Sequence, residues 1–226
     1  MKLAALFTGG KDSTYAIYLA MKAGHEITCL ITMQSENPDS YMFHTPAIEL
    51  TELQAEAMEL PHIIGSTEGK KEEELVDLKE LIIAAKSKFD FEGVITGAVE
   101  SVYQSSRVQK ICNELELWCF NPLWLKDQEE LMEELLENNF QFIFTGIAAD
   151  NLNENWLGKV IDKKGLAELK EINNKVGLSI SGEGGELESF VVNCHLFKKR
   201  IKITESDKVM ENTYTGRLKI KEAVLE

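Results

Sequence analysis

The first hundred residues alternate short apolar runs with segments whose apolar positions recur at helical spacing. Residues 3–7 (LAALF), 27–33, 63–64 and 93–98 read as strands, buried on both faces where the run is unbroken. Between them, Tyr15, Ile17, Tyr18, Leu19 and Met21 suit one helix, residues 47–60 a second that stops before Pro61, and residues 72–88 a third. This order predicts a doubly wound parallel sheet, with ligands gathered at the carboxyl ends of its strands. Further on, the pattern predicts a helix over 107–117, a strand over 118–124 that leads to a turn, and an acidic helix over 128–138. A strand over 140–147 and a helix over 166–176 follow. The tail changes character, because alternation at 201–204 after the apolar run 190–192 predicts hairpin strands. The chain is therefore expected to be α/β, a Rossmann-like doubly wound sheet over 1–121 followed by a smaller C-terminal α+β domain over 122–226.

Between the first strand and the first helix stands Thr8-Gly9-Gly10-Lys11-Asp12-Ser13. A strand–turn–helix of this composition directs free backbone N–H groups and the positive end of a helix dipole at one point, which is a phosphate cradle. Lys11 adds a movable positive charge, Thr8 and Ser13 add hydroxyls, and Asp12 adds an oxygen for magnesium or a helix cap. The bland alternative is an ordinary turn capped by Asp12 or Ser13. A Walker A loop does not fit, since Ala5 and Asp12 occupy positions it reserves for glycine and for serine or threonine. The dinucleotide fingerprint Gly-x-Gly-x-x-Gly is also missing here.

A formal charge of −14 changes the picture of partners, because a protein that grips a polyanion normally shows a basic face. Nucleic acid is not the expected ligand, and Lys198, Lys199, Arg200 and Lys202 read as a solvated strand face. The glutamate runs at 72–74 and 129–134 read as solvated helix faces. Four scattered cysteines without a Cys-x-x-Cys pair argue against a zinc or disulfide framework. No apolar run is long enough to cross a bilayer and the first residues lack signal-peptide flanks, so no membrane partner and a cytoplasmic location are expected.

A second dense cluster is Ser181-Gly182-Glu183-Gly184-Gly185-Glu186-Leu187-Glu188-Ser189-Phe190. Gly182, Gly184 and Gly185 make a turn-forming backbone, and three carboxylates fall within six residues. Alone, this is equally well a solvated turn between strands; beside a phosphate cradle it reads as a site. If a strand begins at Glu186, alternation puts Glu186 and Glu188 on one face.

The glycine-rich loop at 8–13 resembles the PP-loop, Ser-Gly-Gly-x-Asp-Ser, of the ATP pyrophosphatase superfamily, with Thr8 keeping the first hydroxyl. Four further motifs follow in order: Gly97-Ala98 with Ser101-x-Tyr103-Gln104-x-x-Arg107, Pro122-Leu123-Trp124, Trp156-Leu157-Gly158-Lys159, and the glycine–glutamate cluster. Together they resemble the diphthine–ammonia ligase family over residues 3 to about 200. Val102, Ser105, Leu187 and Ser189 depart from residues common in relatives. The resemblance implies an enzyme that adenylates the carboxylate of diphthine on translation elongation factor 2 and amidates it with ammonia, releasing AMP and pyrophosphate. It implies ATP and Mg2+ as cofactors, with Thr8, Gly9, Gly10, Lys11, Asp12, Ser13 and Gly97 at the nucleotide and Asp12 on the metal. Lys11, Asp12, Glu183, Glu186 and Glu188 are its expected catalytic residues; Tyr103, Gln104, Arg107, Gly182, Gly184 and Gly185 are expected at the substrate.

The chemistry fits these residue types. A carboxylate has no leaving group, so it must be activated, and its attack on the α phosphorus needs charge stabilisation rather than a base. Ammonia is the minor species beside ammonium at neutral pH, so a glutamate that takes a proton helps the second step. The same acidic loop beside Tyr103 or Trp156 also suits the quaternary ammonium of diphthine, and the sequence leaves both roles open. A homodimer is compatible with the chain. The rival readings are a PP-loop tRNA-modifying enzyme, which calls for a basic surface and a catalytic cysteine pair, and a nucleotide-binding regulatory module without turnover.

Overall fold

The computed structural model describes residues 1–37, 47–70 and 72–226. Five parallel strands, β1 (Lys2–Leu6), β2 (Glu26–Ser35), β3 (His62–Thr67), β4 (Gly93–Ile95) and β5 (Trp118–Phe120), form one sheet in the order β3-β2-β1-β4-β5. The chain winds outward from β1 on one side and then from β4 on the other. The connections that follow the two central strands therefore leave in opposite directions at the carboxyl ends, where open α/β sheets bind ligands. Helices α1 (Lys11–Lys22), α2 (Thr51–Met58), α3 (Glu73–Lys88) and α4 (Val102–Glu114) make the crossovers.

Strand β1 explains how the sheet is buried on both faces. Leu3 and Ala5, with Phe7 just beyond the strand, pack with Tyr15, Ile17 and Ala20 of α1, whereas Ala4 packs with Leu78 and Ile82 of α3 and Val108 and Cys112 of α4. Period-two alternation thus feeds two apolar layers. After α5 (Gln128–Glu137), strand β6 (Gln141–Ala148), α6 (Lys163–Val176), and strands β7 (Leu187–Asn193), β8 (Ile201–Met210) and β9 (Thr215–Leu225) build an antiparallel sheet ordered β7-β6-β9-β8. Leu131 and Leu135 of α5, Leu166 and Leu169 of α6, and Phe142 and Phe144 of β6 join the layer that contains Leu3 and Phe7, so one apolar core runs between the sheets. Among the described residues, no helix is long and apolar enough to cross a membrane.

Several boundaries differ from the pattern. The helix expected over 107–117 begins at Val102, because the Ser101 side chain accepts the Gln104 amide at 3.3 Å and caps it. It ends at Glu114, where Glu116 takes a left-handed conformation. The strand expected to reach Ala98 stops at Ile95: Thr96 still donates to Phe120, and then the Thr96 hydroxyl accepts the Ala98 amide and turns the chain. The helix over 47–60 opens as a 3₁₀ turn at Ile48–Leu50 before α2. The tail hairpin is longer than its alternating core, joining Ile201–Met210 to Thr215–Leu225. All four cysteines are free thiols.

Candidate active site

The glycine-rich loop leaves β1 and lies along the outer edge of β7. The Val191 amide donates to the Gly9 carbonyl at 3.0 Å, and the Lys11 amide donates to the Ser189 hydroxyl at 3.1 Å. From α2, the buried Gln54 amide closes this seam by donating to both Gly9 and Val191 carbonyls, at 2.9 and 2.8 Å. Inside the loop, the Thr8 and Ser13 hydroxyls are 3.2 Å apart, and Ser13 and Thr14 donate to the Gly10 carbonyl. Helix α1 starts at Lys11 after Gly10, which has no side chain to cap it, so apart from the Lys11 amide held by Ser189 its N-terminus is left for an anion. Gly97, at the end of β4, touches this turn so closely that a Cβ there would lie 2.6 Å from the Ser13 nitrogen. Glycine at 97 therefore lets the two central strand ends meet around one cradle.

Lys11 joins the two sequence clusters. It is buried, and its Nζ donates to both Asp12 carboxylate oxygens, at 2.9 and 2.8 Å, and to the Ser181 carbonyl of the glycine–glutamate loop. That loop is shaped by Gly182, whose φ of +81° brings it against Leu187, and by a Gly185-to-Gly182 turn bond. Glu183 turns toward the loop that precedes α4, where its carboxylate accepts the Glu100 amide at 3.1 Å. Burial and the nearby Asp12 charge push the Glu183 carboxyl above its usual range. Glu188 is raised further, to about 7, chiefly by burial; Lys11 and Arg217 oppose the rise and Asp12 adds to it. Oxygen donors and a lysine thus surround an uncapped helix start, a set suited to a nucleotide triphosphate and its metal.

Lys11, Asp12, Glu183 and Glu188 come together; Glu186 stands apart. The strand begins at Leu187, so alternation does not govern Glu186, whose carboxylate lies over Gly184 and accepts the Ser179 amide at 3.4 Å. Tyr103, Gln104 and Arg107 lie on the first two turns of α4. The Arg107 guanidinium covers the Tyr103 ring at 3.5 Å and pairs with Glu72, and Lys159 sits 5.4 Å from the buried Trp156 ring. These two aromatic faces already carry a cation. Three residues that the sequence pattern left unmarked complete the surroundings. Gln128, at the start of α5, accepts from the Ser179 hydroxyl and donates to Glu100, bracing the acidic loop against α4. Gln54 seals the seam, and Arg217 of β9 adds a positive charge. An isolated glutamine or arginine on an amphipathic element gives no period or motif by which to single it out.

Comparison with known proteins agrees with this two-part construction. The model of the diphthamide synthase N-terminal domain matches residues 1–118, and that of the C-terminal domain matches residues 127–225. The chain belongs to the diphthine–ammonia ligase family. Family members include the Bos taurus diphthine–ammonia ligase, 37% identical over 228 residues that cover 92% of this chain and 85% of that one. The Homo sapiens ligase is 36% identical over 231 residues, covering 94% and 86%. A solved structure described as a predicted subunit of tRNA methyltransferase from Methanocaldococcus jannaschii has a TM-score of 0.46 and 20% identity, covering 86% of this chain and 98% of that one. The loop Gly9–Ser13 lies in the stretch matched by the diphthamide synthase N-terminal model, and Glu183 and Glu188 lie in the stretch matched by the C-terminal one.

Proposed function

We propose that this chain is an ATP-dependent amide ligase that converts diphthine on translation elongation factor 2 to diphthamide with ammonia. Its family consists of ligases that form carbon–nitrogen bonds. The observation that carries the reading is the double engagement of Lys11, which bonds the loop carboxylate Asp12 and the backbone of the glycine–glutamate loop at once. Phosphate binding and carboxyl chemistry are thereby one site. In the first step the diphthine carboxylate attacks the α phosphorus, while Gly9 to Ser13 amides and Lys11 stabilise charge on the departing pyrophosphate. Magnesium carried with ATP would supply further charge neutralisation, and Asp12 is the loop carboxylate that would hold it. In the second step Glu188, raised to about 7, takes a proton from ammonium so that ammonia attacks the carbonyl of the acyl-adenylate, whose bond to AMP breaks as the amide forms.

Within this proposal Glu183 holds the approach from Glu100, and Glu186 shapes the loop through Ser179. Tyr103, Gln104 and Arg107, together with the turns at Gly182, Gly184 and Gly185, line the route of the protein substrate. A division near Asn121 separates the nucleotide-binding part from the substrate-binding part, and the enzyme acts in the cytoplasm. The test supplies ATP, ammonium and diphthine-bearing elongation factor. Amide by mass spectrometry with equal amounts of AMP and pyrophosphate is the expected result, whereas coupled ADP and phosphate would reject the assignment.

A further inference from the structure

The antiparallel sheet places three residues in one row. Glu188 of β7 is paired with Gly146 of β6, and Gly146 is in turn paired with Arg217 of β9. Directly paired residues of antiparallel strands put their side chains on the same face. The middle residue is glycine, so no side chain separates the carboxylate from the guanidinium, and their backbones lie two strand spacings apart, about 9.6 Å. On its other side Arg217 makes a long contact to the exposed Glu211, at 4.0 Å.

We propose that Arg217 is a positioning residue of the ligase site, acting through Glu188 across Gly146 to keep a negative charge where ammonium enters. This rests on the ligase reading and extends it to a residue outside the quoted motifs. Among the described residues, the charges that act on Glu188 are Lys11 and Asp12 from α1 and Arg217 from β9. Lys11 is the stronger of the two cations acting on Glu188, and Asp12, which is paired with it, offsets part of its effect. Among the described residues Arg217 is the further cation that favours the ionised carboxylate against burial, and it acts along the row of the sheet, from the side away from the glycine-rich loop.

The test reads Glu188 directly. Protein labelled with 13C at glutamate carboxyls is titrated by NMR, with the Glu188 resonance identified by its loss in Glu188→Gln. Coulomb interaction over about 9.6 Å predicts that Arg217→Gln raises the Glu188 midpoint by roughly 0.3–1 pH unit, and that Arg217→Lys keeps most of the wild-type value. The acid limb of amidation, compared between variants at one ammonium concentration so that ammonia's own ionisation cancels, should move by the same amount with the KM for ATP unchanged. An unmoved Glu188 midpoint overturns the inference even when the enzyme amidates normally. A moved midpoint with an unmoved acid limb also overturns it, because the charge on Glu188 is then irrelevant to the reaction. Absence of amidation by the wild-type protein instead rejects the ligase reading itself, and the NMR arm distinguishes that failure from the others.

Discussion

At Glu188, burial raises the carboxyl from its ordinary 4.5 to about 7, so the folded chain binds a proton there that the unfolded chain has released. Between those two values the folded state holds more protons, and stability falls as pH rises through the window. Glu188→Gln should therefore unfold at higher denaturant than wild type at pH 8, by about 1–3 kcal/mol, with the gain vanishing near pH 4. The same variant should bind ATP normally by calorimetry and lose amidation by about a hundredfold or more. Glu186 separates from this behaviour. Its glutamine variant retains an oxygen for the Ser179 amide, so amidation should stay within roughly tenfold of wild type. Equal losses in the two variants would return Glu186 to the reacting centre.

The elements that hold the cradle fail in characteristic ways. At Gly97, an added methyl group would meet the backbone of Asp12 and Ser13 at 2.6–2.8 Å, and no flexible side chain can yield. Gly97→Ala should cost about 1–3 kcal/mol of stability and weaken ATP binding, both read in one thermal-shift experiment with and without nucleotide. Gln54→Leu removes two donors from buried carbonyls at the α2–β7 seam, and should cost about 1–3 kcal/mol. Which elements exist was legible from the chain: apolar runs and helical spacing located the strands and helices, and dense glycine-containing motifs located the cradle and the acidic loop. The start of α4 was not, because its first turn, Val102 to Ser105, presents no apolar stripe and depends on a serine cap. Gln54, Gln128 and Arg217 were invisible for a different reason: their roles arise from register and long-range contact, which local patterning does not encode.

For the whole molecule, the apolar layer that links Leu3 and Phe7 to Phe142 and Phe144 predicts that the two sheets unfold together. Calorimetry should give one transition with equal calorimetric and van't Hoff enthalpies, and two resolved transitions would show that the halves are independently stable. The antiparallel sheet also has two edges, and they are managed differently. Edge strand β8 carries Lys202, Glu205, Asp207 and Lys208, charges that discourage another strand from pairing with it. Edge strand β7 contains Phe190, Val191 and Val192 and lacks any such charge in that stretch; its cover is the nucleotide loop, docked through Gly9 and Lys11. The loop we propose to grip phosphates is thus also the molecule's guard against strand-to-strand aggregation, and a variant that frees it from β7 should become prone to precipitate as well as inactive.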